Sequence, residues 1–363
     1  MMARIVIADR TNRYDGRDIA LRPLGGTETS VIQLAEALAR LGHGVTALTH
    51  CDDRIVHNGV AWRPLATART AGADLFIAVQ HPDLFDHSRR ARRRALWLVW
   101  PPFNVQRRFQ ALRMWWHRPR VVFSSEFQVR TYGRLLPRPR PLDVLPLALP
   151  DGVRGMPRLE RPPPPRAVFA SNPQRNLKWL IDVWSRLILP CVPGAELHIH
   201  GIRDYAHRYG ESWQETRKRL GQFIPDGYPD AALRSLKAHP PLPREDLWRA
   251  MRSARVMLYG GHRAEAFCLA VAEAQALGVP AVVRPIAVLP ERVRHGETGF
   301  VEGDEAAFAA RAVQLMTDDS LWRAQHEASL RHQQGWSWDD MAREWVRRVI
   351  EPRMQHPRRV LRA

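Results

Sequence analysis

Cysteine is scarce in this 363-residue chain. The three present, Cys51, Cys191 and Cys268, are odd in number and far apart. That pattern excludes a disulfide framework and, lacking metal-ligand spacing, a cysteine-based zinc site; a reducing compartment is expected. Long hydrophobic runs are missing too: no stretch approaches the roughly 18 apolar residues that cross a bilayer. The opening M-M-A-R-I-V-I-A-D-R is too short an apolar run for a signal peptide and reads as a first strand. Internal repeats are absent, and low complexity is confined to one proline tract. A soluble cytoplasmic chain is expected, free or peripheral on the inner face of the cytoplasmic membrane.

Acidic residues are also in deficit, leaving a net charge of +18. Arginine far outnumbers lysine, as GC-rich coding tends to produce. The rest of the excess is local. Between Asp86 and Glu126 there is no acidic residue, while Arg89, Arg90, Arg92, Arg93, Arg94, Arg107, Arg108, Arg113, Arg118 and Arg120 are interleaved with Trp97, Trp100, Trp115 and Trp116. Such a window suits an anionic membrane surface. It would also suit nucleic acid, or be a solvated basic face over buried tryptophans.

What is present reads as globular, with 45% apolar and 25% charged residues, and the length fits two domains of ordinary size. Arg4–Ala8 reads as a strand, Thr27 as the cap of a helix running to Leu41, and His43–Thr49 as a second strand. Gly25 and Gly26 stand at the helix mouth, where they either let backbone approach a ligand or simply make the turn. G-G-T-E-T-S lacks the G-x-G-x-x-G dinucleotide spacing. Further strands are expected at Asp74–Val79, Ala95–Trp100, Arg120–Ser124 and Leu142–Leu147, alternating with helices as in a parallel doubly wound sheet. His81 follows the Asp74–Val79 strand at its carboxyl end, where such sheets bind ligands; a plain loop histidine is the alternative.

Residues 151–165 contain four consecutive prolines and read as an interdomain hinge. A second domain, 166–335, restarts with the strand Ala167–Ser171. It continues with a helix buried through Leu177, Leu180, Ile181 and Trp184, then a strand at Glu196–His200. Arg175 and Lys178 stand at the start of that helix, where basic residues oppose the dipole. Holding a diphosphate would explain the placement; a surface charge is the plainer account for Arg175. Arg203–Pro243 is polar and aromatic, with a helix expected at Ser212–Phe223. A helix at Pro243–Ala254 and a strand at Arg255–Tyr259 lead to the stretch that organises the chain.

That stretch is E-A-F-C-L-A-V-A-E-A-Q-A-L-G-V-P, Glu265 to Pro280. A loop carrying Glu265 feeds a helix starting near Phe267 or Cys268 and ending at Gly278, with Pro280 beyond. The helix start offers unpaired N–H groups and the positive dipole end, a cradle for phosphate. Two glutamates seven residues apart, with Phe267, Leu269, Ala274, Gly278 and Pro280 in place, resemble the signature of retaining glycosyltransferases of family four. Ala266 and Cys268 stand where that family has glycines. Leu38–Val45 and E-R-V-R-H-G-E-T-G-F-V resemble further family segments.

The resemblance implies a GT-B fold: an α/β architecture of two Rossmann-like doubly wound domains facing each other across a cleft. The first, residues 1–150, would take the acceptor and the second the donor, with the terminal segment 336–363 crossing back to the first. It implies transfer from a UDP- or GDP-sugar to a saccharide or lipid-linked acceptor. Arg175, Lys178, the Phe267–Leu269 amides, Gly25 and Gly26 would hold the donor, Glu273 its ribose, and Glu265 and His81 would serve the transferred sugar. The sequence has no Asp-x-Asp clamp, and no metal or other cofactor is expected. A sugar-nucleotide epimerase or phosphorylase on the same fold, or a basic membrane- or nucleic-acid-binding protein without chemistry, are the competing readings. The intact glutamates argue against the last of these, and against nucleic acid as the partner.

Overall fold

Arg4–Ala8 (β1), apolar and β-branched, sits near the middle of an eight-stranded sheet because nothing on its inner positions needs water. The computed structural model describes residues 2–67, 72–88, 90–137, 143–200, 221–224, 230–239, 242–333 and 335–351. The other strands of the first sheet are Gly44–Thr49 (β2), Ile55–His57 (β3), Val60–Pro64 (β4), Leu75–Val79 (β5), Arg93–Leu98 (β6), Arg120–Phe123 (β7) and Asp143–Val144 (β8). Their order is β3-β4-β2-β1-β5-β6-β7-β8, parallel except at the β3–β4 hairpin. Alternation with helices had not suggested that hairpin. Its signal is Asn58-Gly59, both residues at positive φ (47° and 78°), as a two-residue hairpin turn of the primed type requires.

The second sheet contains Arg166–Phe169 (β9), Glu196–Ile199 (β10), Leu236–Ala238 (β11), Val256–Tyr259 (β12), Ala281–Val283 (β13) and Gly299–Val301 (β14). It is wholly parallel, in the order β11-β10-β9-β12-β13-β14. Two parallel α/β sheets, each covered by helices, make the GT-B architecture. The expected helix Ser212–Phe223 lies outside the described residues except for a single tight turn at Gly221–Phe223. Arg89, Leu142 and residues 352–363 of the terminal segment also lie outside them.

Helices Gly26–Arg40 (α1), Arg108–His117 (α2), Leu177–Val183 (α3), Arg244–Arg252 (α4), Leu269–Ala276 (α5), Glu305–Thr317 (α6), Asp319–Gln333 (α7) and Trp338–Trp345 (α8) matter most for the site. Gly25, not Thr27, is the cap residue of α1, and no side chain caps it. The Thr27 hydroxyl instead accepts a hydrogen bond from Trp100 Nε1 at 2.9 Å. Helix α8 opens on a Ser337–Asp340 capping box and packs on α1 of the first sheet. Arg40 binds Asp339 at 2.6 Å, and the Trp345 ring meets Trp97 edge-on at 5.9 Å. Chain following the second sheet therefore returns, over residues 338–350, to the first.

The proline stretch is laid along the second sheet's helices rather than hanging free. Leu159 N donates to His326 Nε2 at 2.8 Å, and Arg252 donates to Pro157 O at 2.6 Å. No helix among the described residues is long and apolar enough to cross a membrane.

Candidate active site

At the end of β12 the chain turns through Gly260 and Gly261, and only hydrogen fits at the first of these: a Cβ on Gly260 would come within 2.8 Å of the Trp179 ring. Asn176, itself left-handed (φ 65°), donates to Gly261 O at 2.6 Å. This ties the loop before α3 to the loop before α5 and brings Arg175 onto Glu265. Glu265 is almost fully buried. Its Oε1 accepts from both the Arg175 guanidinium and the Tyr259 hydroxyl. Burial would lower the Arg175 pKa, but the Glu265 carboxylate outweighs it and the guanidinium is held firmly charged. Burial, reinforced by Glu265, pushes the Tyr259 phenol well up, so it remains a donor.

Cys268 stands where the resembled family has glycine, and its backbone shows why: φ is 62°, in the left-handed region. A side chain there costs about 1–2 kcal/mol, a strain carried at a residue that lines the cleft. Ala266 replaces the other glycine at a position that is not left-handed among the described residues. Burial raises the Cys268 thiol pKa well up, so the group is a neutral lining atom rather than a nucleophile. Phe267 is held from behind by the Arg292 guanidinium, 4.4 Å above its ring.

Across the cleft the start of α1 faces the start of α5. A Cβ on Gly26 would stand 3.0 Å from Leu269 Cδ1, so this glycine permits the close approach of the two helix mouths. The cleft holds about 200 Å³ and is lined by Gly25, Gly26, Arg175, Glu265, Phe267, Cys268, Leu269 and Glu273, together with Trp100, His200 and Arg244. Two helix N-termini and two guanidinium groups around two carboxylates can hold an anion with hydroxyl groups beside it.

Two of the expected site residues lie elsewhere. Lys178 is the second residue of α3, and Leu177, Leu180 and Ile181 turn that helix's inner face to the core. Lys178 therefore points out, into a depression with Gln174, Trp179 and Asp182, and does not compensate for a missing cation in the cleft. His81 does not line the cleft either. Its ring meets Trp100 edge-on at 6.1 Å, and its Nδ1 lies 3.4 Å from Asn104 Nδ2. Burial and then Arg10 lower its pKa, favouring the neutral imidazole.

Its neighbour Gln80 does the placing. At φ 60° and fully buried, Gln80 accepts from the Val99 and Trp100 amides (3.1 and 2.9 Å) and donates to Asn104 Oδ1 (2.7 Å), which sets Trp100 at the cleft wall.

Arg244 went unnoticed in the sequence. It is the first residue of α4, donates to Glu273 Oε1, and reaches Thr29 Oγ1 of α1 at 3.4 Å. A basic residue in a helix's first turn is unfavourable, the same sign that pointed to Arg175.

The arginine–tryptophan window divides into three. Trp97 is fully buried in the core and Trp100 belongs to the cleft, whereas Trp115 and Trp116 are exposed on α2. Several of the arginines are committed to local partners: Arg94 to Ser88, Arg113 to Asp86 and Arg120 to Asp143.

Comparison with known proteins adds a family likeness. The model of Glycosyl transferases group 1 matches residues 164–318. D-inositol 3-phosphate glycosyltransferase of Streptomyces avermitilis is 32% identical over 127 residues, 34% of this chain and 27% of that protein. N-acetyl-alpha-D-glucosaminyl L-malate synthase of Bacillus anthracis is 39% identical over 61 residues, 16% of each chain. The chain thus spans about a quarter, or less, of the length of the curated relatives it matches.

Solved structures match over much more. Sucrose-phosphate synthase from Thermosynechococcus elongatus gives a TM-score of 0.70 at 15% identity, covering 94% of this chain and 97% of that one. Anabaena HepE in complex with UDP-glucose gives 0.69 at 15% identity, covering 94% and 98%. Residues 164–318 are thus similar to the group 1 glycosyltransferases, and both sheets together share the GT-B fold of these solved structures.

Proposed function

We propose that the chain is a retaining, metal-independent glycosyltransferase that moves a sugar from a UDP- or GDP-sugar to a saccharide or lipid-linked acceptor in envelope glycoconjugate synthesis. The observation that carries the reading is the Arg175–Glu265–Tyr259 cluster set beside the left-handed Cys268 turn. Departure of a nucleoside diphosphate builds negative charge on its phosphates. Arg175 and the amides at the mouth of α5 supply fixed positive charge there, in a site partly closed to water. The bond from the anomeric carbon to the diphosphate breaks, and the acceptor oxygen bonds to that carbon on the same face. The acceptor's proton passes to the leaving phosphate oxygen. Glu265, beside Arg175, opposes the positive charge that grows on the sugar ring, while Glu273 holds ribose hydroxyls. UDP is favoured by the UDP-glucose complex of a protein with the same fold.

A lipid-linked acceptor is favoured by helix α2, whose Phe109, Leu112 and Trp116 form an outward apolar stripe with Arg107, Arg108 and Arg118 around its ends. Such a face suits an anionic membrane surface.

Saturation binding against UDP-, GDP- and ADP-sugars, followed by transfer assays in excess chelator, tests the reading. Tight binding of one donor class with transfer that survives chelation is expected. Full dependence on magnesium or manganese would overturn metal independence, and epimerised donor or phosphorolysis without transfer would move the assignment to the other enzymes of this fold.

A further inference from the structure

Three histidines meet at the carboxyl edge of the second sheet. His198 lies in β10 and His200 just past its end, two residues apart, so their side chains leave the same face. His239 follows β11 one step beyond the Ile199–Ala238 pair, and its amide donates to Ile199 O at 3.0 Å. One ring nitrogen from each of the three can be chosen so that all lie within 4.8 Å of one another. His239 Nε2 is 2.8 Å from His198 Nδ1, and the His200 and His239 rings are stacked at 4.3 Å. On its other side, His198 Nε2 lies 2.9 Å from Glu196 Oε2.

We propose that His198, His200 and His239 bind one divalent transition-metal ion of the zinc class. The donor set selects the ion: imidazole nitrogens suit Zn²⁺, Ni²⁺ or Cu²⁺, whereas Mg²⁺ and Ca²⁺ require oxygen. Glu196 occupies the outer position that fixes a ligating imidazole's tautomer, leaving Nδ1 of His198 to face the ion.

The adjustment needed is small. Zn–N bonds of about 2.0–2.1 Å in a tetrahedral site hold neighbouring nitrogens about 3.3 Å apart, so His198 and His239 part by roughly half an ångström. The His200 and His239 planes are 6° from parallel, and one ring turns about its soft terminal torsion to aim at the ion. Three protein ligands leave a fourth position for water or a ligand atom. His200 also lines the cleft, so the ion borders the donor site without entering the metal-free phosphate chemistry proposed above.

The test uses the full chain, stripped with chelator and titrated with Co²⁺ followed by Zn²⁺, with UDP-sugar binding measured in parallel as a check on folding. One Co²⁺ per chain with a visible ligand-field band, displaced by Zn²⁺, is expected, together with a rise in Tm. His198→Gln and His239→Gln should lose the band; Glu196→Gln should weaken binding about 10–100-fold; His50→Gln, at an exposed position, should change nothing. Unaltered binding in both ligand variants, or no bound ion in a preparation that still binds nucleotide, would overturn the proposal. If a ligand variant folds poorly, modification of wild type by diethyl pyrocarbonate reads the same site. Zn²⁺ should protect His198 and His239, and equal labelling with and without the ion would refute it.

Discussion

Arg244 lies against Glu273 at the cleft, and its second guanidinium nitrogen reaches Thr29 of the opposite domain. One side chain thus satisfies a carboxylate that is only 5% exposed and contacts the helix whose mouth faces the donor loop. Arg244→Met strands Glu273 without a partner and should cost about 3–5 kcal/mol of stability. The double variant Arg244→Met/Glu273→Gln removes both charges and should recover most of that loss, which denaturant unfolding of the four-member cycle would reveal. Additive losses would mean that the pair is not coupled.

Arg175 and Glu265 should matter to the rate more than to donor affinity. Arg175→Ala and Glu265→Ala should each lower kcat by about 10²–10³, or about 2.7–4 kcal/mol of barrier, by analogy with lost oxyanion donors. Tyr259→Phe removes one donor to Glu265 and should cost less. Single-turnover rates at saturating donor make the comparison. Wild-type rates in both alanine variants would remove these residues from the mechanism.

Acid should destabilise the second domain through His326. Its Nδ1 lies 2.6 Å from Gly278 O, its Nε2 accepts the Leu159 amide, and burial lowers its pKa despite the hydrogen bond to Gly278. The unfolded side chain titrates near about 6.5. Above that value both states are neutral and the contribution is complete. Below it the unfolded chain takes a proton that the folded chain resists, so stability falls as pH falls. Thermal unfolding between pH 8 and 5 should show this slope, flattened in His326→Gln. Gly278→Ala should be worse at every pH, by about 1–3 kcal/mol: φ there is +76° and a Cβ would sit 2.3 Å from the His326 ring.

Anionic vesicles should capture the chain at low salt. Trp116 is 85% and Phe109 73% exposed, and Trp116→Ala/Phe109→Ala should cut flotation sharply without altering thermal stability. Raising salt from 0.1 to 1 M shortens the screening length from about 10 to about 3 Å and should weaken the arginine contribution. Flotation that is absent at low salt, or unchanged in the double variant, would leave α2 a plain surface.

Much of the fold was legible in local sequence. Apolar β-branched runs and helical spacing placed β1, β2, α1 and α5 within two residues of their observed bounds. Phe267, Gly278 and Pro280 around the paired glutamates carried the resemblance. The hairpin β3–β4 is invisible to the alternation of strands with helices; its local mark is the Asn58-Gly59 turn.

Residue types and short-range periodicity determined that this chain makes two parallel sheets and puts Glu265 and Glu273 at a helix mouth, because those choices depend on neighbours a few positions away. Only the tertiary structure decided which charges meet. It paired Arg175 with Glu265 across 90 residues and Arg244 with Glu273 across 29, turned Lys178 outward, hid His81 behind Trp100, and gathered three histidines at one sheet edge. Ion pairs and ligand sets are fixed by the rotation of each helix against its sheet and by strand order, and neither quantity is written in any short segment.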